Sequence, residues 1–319
     1  MGRMVDGTWL VEDRLSHGRA GAFERAAVTF RDTIAAGGPH PPERGRYHLY
    51  VSLACPWAHR AVILRVLKGL QPMIGLSVTH WLMREQGWTF EPGEGVISDP
   101  LGARFMHDVY RRADPGFTGR VTVPVLWDLQ TGIIVNNESS EIIRMLGTAF
   151  DGLGATPGDF YPAALRPEID AVNERVYATL NNGVYRAGFA RTQEAYEAAI
   201  YPLFGTLDWL EERLSRTPFV CGDVVTEADW RLFTTLVRFD AVYNGHFKCN
   251  LRRLIDYPSL WDYARSLYQV PGVAETVDFG HIKRHYYMSM FEVNPSQVVP
   301  AGPILDWHQP ASRRYAVGK

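Results

Sequence analysis

Cys55 is the residue best placed to do chemistry. It lies in SLACPWAHRAVIL, where a β-favouring run, YHLYVSL, passes into a nearly all-apolar helical stretch ending near Gly69. Pro56 suits the first position of a helix, since its missing N–H would have no partner there. The spacing therefore predicts the sulfur at a helix N-terminus, beside free backbone N–H groups and the positive end of the helix dipole. Such a site stabilises a thiolate and lowers its pKa by about one to several units from about 8.5. Arg60 is a further source of positive charge. A lone cysteine is more commonly buried and structural. The junction and the proline favour reactivity.

The third residue after Cys55 is Ala58, so the motif is CPWA and not CxxC. A dithiol site resolves its mixed disulfide with its own second cysteine. A monothiol site needs an external thiol, which points to glutathione as the resolving partner.

Three further segments bear on such a site. In VTVPVLWD, Pro124 is a candidate cis turn that would leave the Val123 backbone open to an extended peptide. Taken alone, the pattern reads as an ordinary trans proline at the first residue of an edge strand. In NESSEII, Glu138 and Ser139 open a helix. Its N–H groups and the Ser139 hydroxyl suit a carboxylate, and Glu138 suits an ammonium, as a γ-glutamyl group offers. Plain N-capping would satisfy the same pattern. In TEADWRLF, Thr226 and Asp229 form a capping box that starts a buried helix.

The elements that must position these residues fall into two parts. Residues 45–150 read strand, helix, strand, long loop, hairpin, helix, an α/β pattern. The loop, residues 84–118, is rich in Gly, Pro and aromatics and reads as irregular. Residues 160–287 read as all-helical. Residues 1–44 read as an extension with little regular structure, and 288–319 as an irregular tail.

Composition sets the outer bounds. Of 319 residues, 46% are hydrophobic and 21% charged, a globular mix large enough for two domains. The formal net charge of -2 supplies no basic field for a nucleic-acid backbone. The three cysteines, Cys55, Cys221 and Cys249, are too few and too widely spaced for a disulfide framework and fit a reducing compartment. No signal peptide is read at the N-terminus, and no run approaches the roughly 18 apolar residues of a membrane span. The expected location is cytoplasmic, with neither nucleic acid nor membrane as partner.

Taken together, a cysteine before a helix, VPVLWD, the ES pair and the Thr–Asp capping box resemble the cytosolic glutathione transferases. CPWAHRAVILRVLKGL, TVPVLWD, NNESSEIIRM, NNGVYRAGFA, FDAVYNGHFKCN and IKRHYY resemble more specifically their Xi class, the glutathionyl-hydroquinone reductases. The resemblance covers most of the chain, including FERAAVTFRDTI. It departs after HYY, where the family's Ser–His pair is replaced by Ser289–Met290.

The resemblance implies an α/β thioredoxin-like N-terminal domain followed by an all-α C-terminal domain, the cytosolic glutathione transferase fold. It implies a homodimer, with glutathione as co-substrate and no metal. Cys55 would attack the sulfur of a glutathionyl-hydroquinone, and a second glutathione would release glutathione disulfide. Trp88, Arg120, Val123, Glu138 and Ser139 would bind glutathione, with the insert around Trp88 covering the tripeptide. Tyr185, Tyr243 and Tyr287 would bind the phenol, and Tyr286 is open to the same role. The rivals are a broader monothiol thioltransferase or reductive dehalogenase using Cys55, and a non-catalytic binding module.

Two signals are set aside. His281 and His285 have the i, i+4 spacing of a metal-binding helix but no third ligand nearby in sequence. Cys221 and Cys249 lack a helix-start context and read as buried and inert.

Overall fold

The computed structural model describes residues 2–11 and 21–318. They divide into two units: residues 2–11, 26–157 and 280–285 in the first, and residues 21–25, 158–279 and 286–318 in the second.

The first unit opens with an antiparallel hairpin, β1 (Gly2–Val5) and β2 (Thr8–Val11). Asp6 and Gly7 turn it, both at positive φ, with Gly7 closely approached by the Pro115 carbonyl. The extension was expected to have little regular structure. The hairpin differs from that expectation because its stabilising contacts lie far along the chain: Met4 exchanges backbone hydrogen bonds with Gly119, and Trp9 Nε1 donates to Glu85 O at 2.9 Å. Residues 12–20 of that extension lie outside the described residues.

The central sheet follows. β3 (Tyr47–Val51) leads to α1 (Pro56–Leu67) and the parallel strand β4 (Ile74–Val78). After the insert come β5 (Val125–Asp128), β6 (Ile133–Asn136) and α3 (Ser139–Thr148). The strand order is β4-β3-β5-β6, with β5 antiparallel to both its neighbours. All residues of β3 and β5 are buried, as strands covered on both faces require. β5 is therefore internal, not the edge strand that Pro124 suggested, and the Val123–Pro124 bond is cis. The outer edge of β6 is occupied: Asp32 N donates to Val135 O and Asn137 N to Phe30 O, so the 30–32 segment closes an edge that would otherwise be open.

α1 packs against α3 and buries eight of its residues, Pro56, Ala58, His59, Arg60, Ala61, Val62, Ile63 and Leu64. Gly69, at φ 62°, ends it as expected. The insert is more ordered than its composition suggests. It contains α2 (Met106–Ala113), whose first turn is closed by Phe105 N donating to Asp108 Oδ2 at 3.1 Å. The 84–118 reading missed α2 because eight residues, MHDVYRRA, are too few for periodicity to stand out.

The second unit is helical: α4 (Arg166–Val176), α5 (Gly183–Gly188), α6 (Gln193–Leu214), α7 (Glu227–Arg238) and α8 (Pro258–Tyr268). α9 (Phe279–Ser289) supplies residues 280–285 to the first unit and 286–289 to the second. α7 starts on the expected capping box, with Asp229 Oδ2 accepting from Thr226 N at 2.7 Å. One π-helical stretch, Tyr177–Asn181, continues α4, and another, Phe239–Tyr243, continues α7. Such widened turns displace the residues that follow and recur at functional sites. The tail is irregular but anchored: Arg313 donates to four backbone carbonyls, those of Leu214, Thr217, Pro218 and Ser259.

Candidate active site

Cys55 occupies the N-cap of α1 with extended backbone angles, φ -78° and ψ 119°. Its carbonyl accepts the first helical bond from His59 N at 3.0 Å. Its side chain does not cap the helix. Sγ is half-buried and lies 3.6 Å from Val123 O. Pro56 is at the first helical position, where its lack of an N–H costs nothing. Arg60 is buried, donates to Ser139 Oγ at 3.2 Å and lies over the Trp57 ring at 4.6 Å. It ties the start of α1 to the start of α3.

Val123 is buried, and its N–H makes no hydrogen bond among the described residues, although its carbonyl faces Cys55. Glu138 is the N-cap of α3, and its Oε1 accepts from Ser140 N and Ser140 Oγ, each at 2.9 Å. Glu138 therefore caps the helix, as the plainer reading of NESSEII proposed. Within the first unit, Cys55 contacts Val123 and Arg60 contacts Ser139, so α1 meets both the backbone that enters β5 and the start of α3.

Trp88 lies near the start of the insert, and Arg120 lies two residues beyond its end. The Trp88 ring is buried and stacks on His285, with centroids 4.8 Å apart and planes inclined 22°. Arg120 is half-buried and follows Gly119, the hairpin's partner. His281 contacts Glu94 O at 2.6 Å and His285 contacts Trp81 O at 2.8 Å. His281 thus holds a carbonyl within the insert, and His285 holds one in the segment just before it. Among the described residues there is no group of three or more His, Cys, Asp or Glu able to hold a metal ion.

In the second unit, Tyr185, Tyr243 and Tyr286 meet at their hydroxyls, Tyr185 to Tyr286 at 2.6 Å and Tyr243 to Tyr286 at 3.2 Å. All three are buried, and burial pushes the Tyr243 and Tyr286 hydroxyls well above the ordinary tyrosine range. Arg25 covers the Tyr185 ring at 4.8 Å. Tyr287 is separate: half-buried, its ring 4.7 Å from that of His246, it lines a cavity of about 420 Å³ with Asp240, Asn244 and Arg253. The sequence left Tyr286 and Tyr287 undivided. The structure places Tyr286 with the buried pair and Tyr287 beside open space.

Sequence analysis singles out none of Trp9, Tyr110 and Asn137, whose side chains bond to Glu85 O, to Thr122 O and to the Tyr110 hydroxyl respectively. Asn137 stands directly before Glu138, so its signal was one residue away. Trp9 and Tyr110 have no local pattern that marks them.

A sheet ordered β4-β3-β5-β6 with a cysteine opening α1, together with a helical unit whose α7 starts on a Thr–Asp box, is the glutathione transferase fold. The family models agree: "Glutathione S-transferase, N-terminal domain" matches residues 54–149 and "Glutathione S-transferase, C-terminal domain" matches residues 193–266. The chain is 55% identical to glutathionyl-hydroquinone reductase PcpF of Sphingobium chlorophenolicum, over 95% of this chain and 96% of that protein. It is similar to the glutathione-bound structure of YqjG from Escherichia coli K-12, at 48% identity and TM-score 0.90, covering 98% and 99% of the two chains. It is also similar to the glutathione-S-transferase Xi of Phanerochaete chrysosporium, at 50% identity and TM-score 0.89, covering 93% and 97%. The chain belongs to the Xi-class glutathione transferases, the family of the glutathionyl-hydroquinone reductases.

Proposed function

We propose that this protein reduces glutathionyl-hydroquinones to hydroquinones with glutathione as co-substrate. The observation that carries the reading is the half-buried monothiol Cys55 at the start of α1, in a chain 55% identical to a named glutathionyl-hydroquinone reductase. The Cys55 thiolate attacks the glutathionyl sulfur, forming a protein–glutathione disulfide. The carbon–sulfur bond breaks, its electron pair passes to the ring carbon, and that carbon takes a proton. A second glutathione thiolate attacks the mixed disulfide, releasing glutathione disulfide and restoring Cys55. The two electrons that reduce the ring carbon come from two sulfurs, the thioether sulfur of the substrate and the thiol of the incoming glutathione, which end joined as glutathione disulfide.

Roles follow from chemistry. Val123 offers an unused N–H to the extended tripeptide. Ser139 and the start of α3 suit the γ-glutamyl carboxylate, and Glu138 its ammonium. Arg120 suits a carboxylate and Trp88 supplies a flat wall. Tyr185, Tyr243, Tyr286 and Tyr287 suit a phenol, and the hydroxyls of the first three can exchange their mutual hydrogen bonds for ones to substrate. The homodimer rests on the family resemblance alone; few cysteines fit a reducing, cytoplasmic compartment, and a net charge of -2 gives no basic field for nucleic acid. No described helix is long and apolar enough to cross a membrane.

The test is substrate selectivity. Turnover of a glutathionyl-hydroquinone well above that of a glutathionylated peptide supports the specialist. Equal turnover of both makes the protein a general thioltransferase. In the first case Tyr185→Phe and Tyr243→Phe lower hydroquinone turnover about tenfold and leave peptide turnover within twofold.

A further inference from the structure

Tyr110 lies on α2, inside the insert, and is completely buried. Its ring packs against Phe30 and Phe117. Its hydroxyl is a hub. It donates to Thr122 O at 3.0 Å, lies 3.1 Å from Thr122 Oγ1, and accepts from Thr122 N at 3.2 Å and from Asn137 Nδ2 at 3.1 Å. One donor and two acceptor positions exhaust what a phenol can offer.

Two consequences follow from these contacts. The Thr122–Val123 peptide is trans, so its C=O and N–H point in opposite directions. With Thr122 C=O held on the Tyr110 hydroxyl, Val123 N–H must point away from it. This is the N–H without a partner among the described residues, next to the carbonyl that faces Cys55 Sγ. Asn137, the third partner, uses its Oδ1 to accept from Phe30 N at 3.2 Å and stands immediately before Glu138 and Ser139. One phenolic oxygen thus joins the backbone ahead of β5 to the backbone ahead of α3.

We propose that Tyr110 is a positioning residue for glutathione: it aims Val123 N–H at the tripeptide and, through Asn137, fixes that N–H relative to the start of α3. The inference rests on the assignment of Val123, Glu138 and Ser139 to glutathione. Tyr110 touches neither Cys55 nor substrate, so its effect falls on binding and not on the nucleophile.

The experiment compares wild type with Tyr110→Phe by calorimetric titration with glutathione and by the rate of Cys55 alkylation from pH 6 to 9. The expected result is about tenfold weaker glutathione binding, with the alkylation profile within twofold of wild type at every pH. Equal affinities would overturn the proposal, as would a displaced alkylation profile. Amide exchange in the wild type is a second readout that needs no variant. Val123 N–H should exchange fast in the free protein and at least tenfold slower with glutathione bound, while Thr122 N–H stays slow throughout. A Val123 amide that glutathione does not protect would also overturn it. Neither measurement uses a hydroquinone, so a wild type that binds glutathione but does not turn over glutathionyl-hydroquinone fails the functional reading alone.

Discussion

The Cys55 sulfur lies 3.6 Å from the Val123 carbonyl oxygen. The contact joins the first turn of α1 to the backbone that enters β5. It holds the thiol at the mouth of the helix without using it as a cap, which leaves the sulfur half-exposed and oriented. As a thiol it donates weakly to that carbonyl. As a thiolate it sits at the positive end of the α1 dipole.

The other two cysteines have no such setting. Burial pushes the Cys221 thiol up to about 12, with the Asp229 charge adding to it, and burial pushes Cys249 up as well. Iodoacetamide at pH 7.5 is therefore expected to modify Cys55 and to leave Cys221 and Cys249 intact in the folded protein. Peptide mass mapping reads the outcome, and comparable labelling of a buried cysteine would contradict it.

Trp9 clamps the insert from the N-terminal hairpin. Its ring stacks on His107 with centroids 4.7 Å apart, and its indole N–H holds Glu85, three residues before Trp88. Trp9→Ala should loosen the Trp88 end of the insert and raise the KM for glutathione about three- to tenfold, with the Cys55 alkylation rate preserved. An unchanged KM would show that the hairpin has no part in the site.

Asp229 is fully buried and accepts from Val220 N, Thr226 N, Thr226 Oγ1 and the Tyr263 hydroxyl. Burial pushes its carboxyl above the usual range, against those hydrogen bonds. Asp229→Ala leaves several buried donors without a partner and should cost at least about 3 kcal/mol. Urea denaturation followed by helical circular dichroism measures this. A loss of under about 1 kcal/mol would mean the box is incidental to the second unit's stability.

His48 sits in β3, buried, with Nε2 2.7 Å from Ser77 Oγ. Burial lowers its pKa from 6.5 to about 4, against the opposing pull of Asp99. The unfolded chain takes up this proton near pH 6.5 and the folded chain only near 4. The contribution is therefore complete above pH 6.5 and lost as pH falls through that interval, up to about 3 kcal/mol. Between pH 7.5 and 4.5 wild type should lose about 2 kcal/mol more stability than His48→Gln. Parallel profiles would contradict the assignment.

What could be read from sequence was local. Cys55 followed by Pro56, the Glu138–Ser139 helix start and the Thr226–Asp229 box each declare themselves within a few residues, because capping and helix-start chemistry act over one turn. What could not be read was set by distant partners. The β1–β2 hairpin depends on Gly119 and Glu85, the 30–32 segment depends on the edge of β6, and the Pro124 isomer lies in a context its own residues do not specify. α2 is too short to show a period, and Tyr110 matters through an oxygen whose partners are 12 and 27 residues away. The tyrosines on three segments were legible only through resemblance, since nothing in their spacing announces that three of them meet.

The central claim is that Cys55 is the nucleophile of a glutathionyl-hydroquinone reductase. The most direct test is release of free hydroquinone and glutathione disulfide from a glutathionyl-hydroquinone plus glutathione, with wild type and Cys55→Ala side by side. The account predicts equimolar release of both products by wild type and at least about a thousandfold loss in the variant, which keeps its fold and its glutathione affinity. Turnover by Cys55→Ala at the wild-type rate would contradict it.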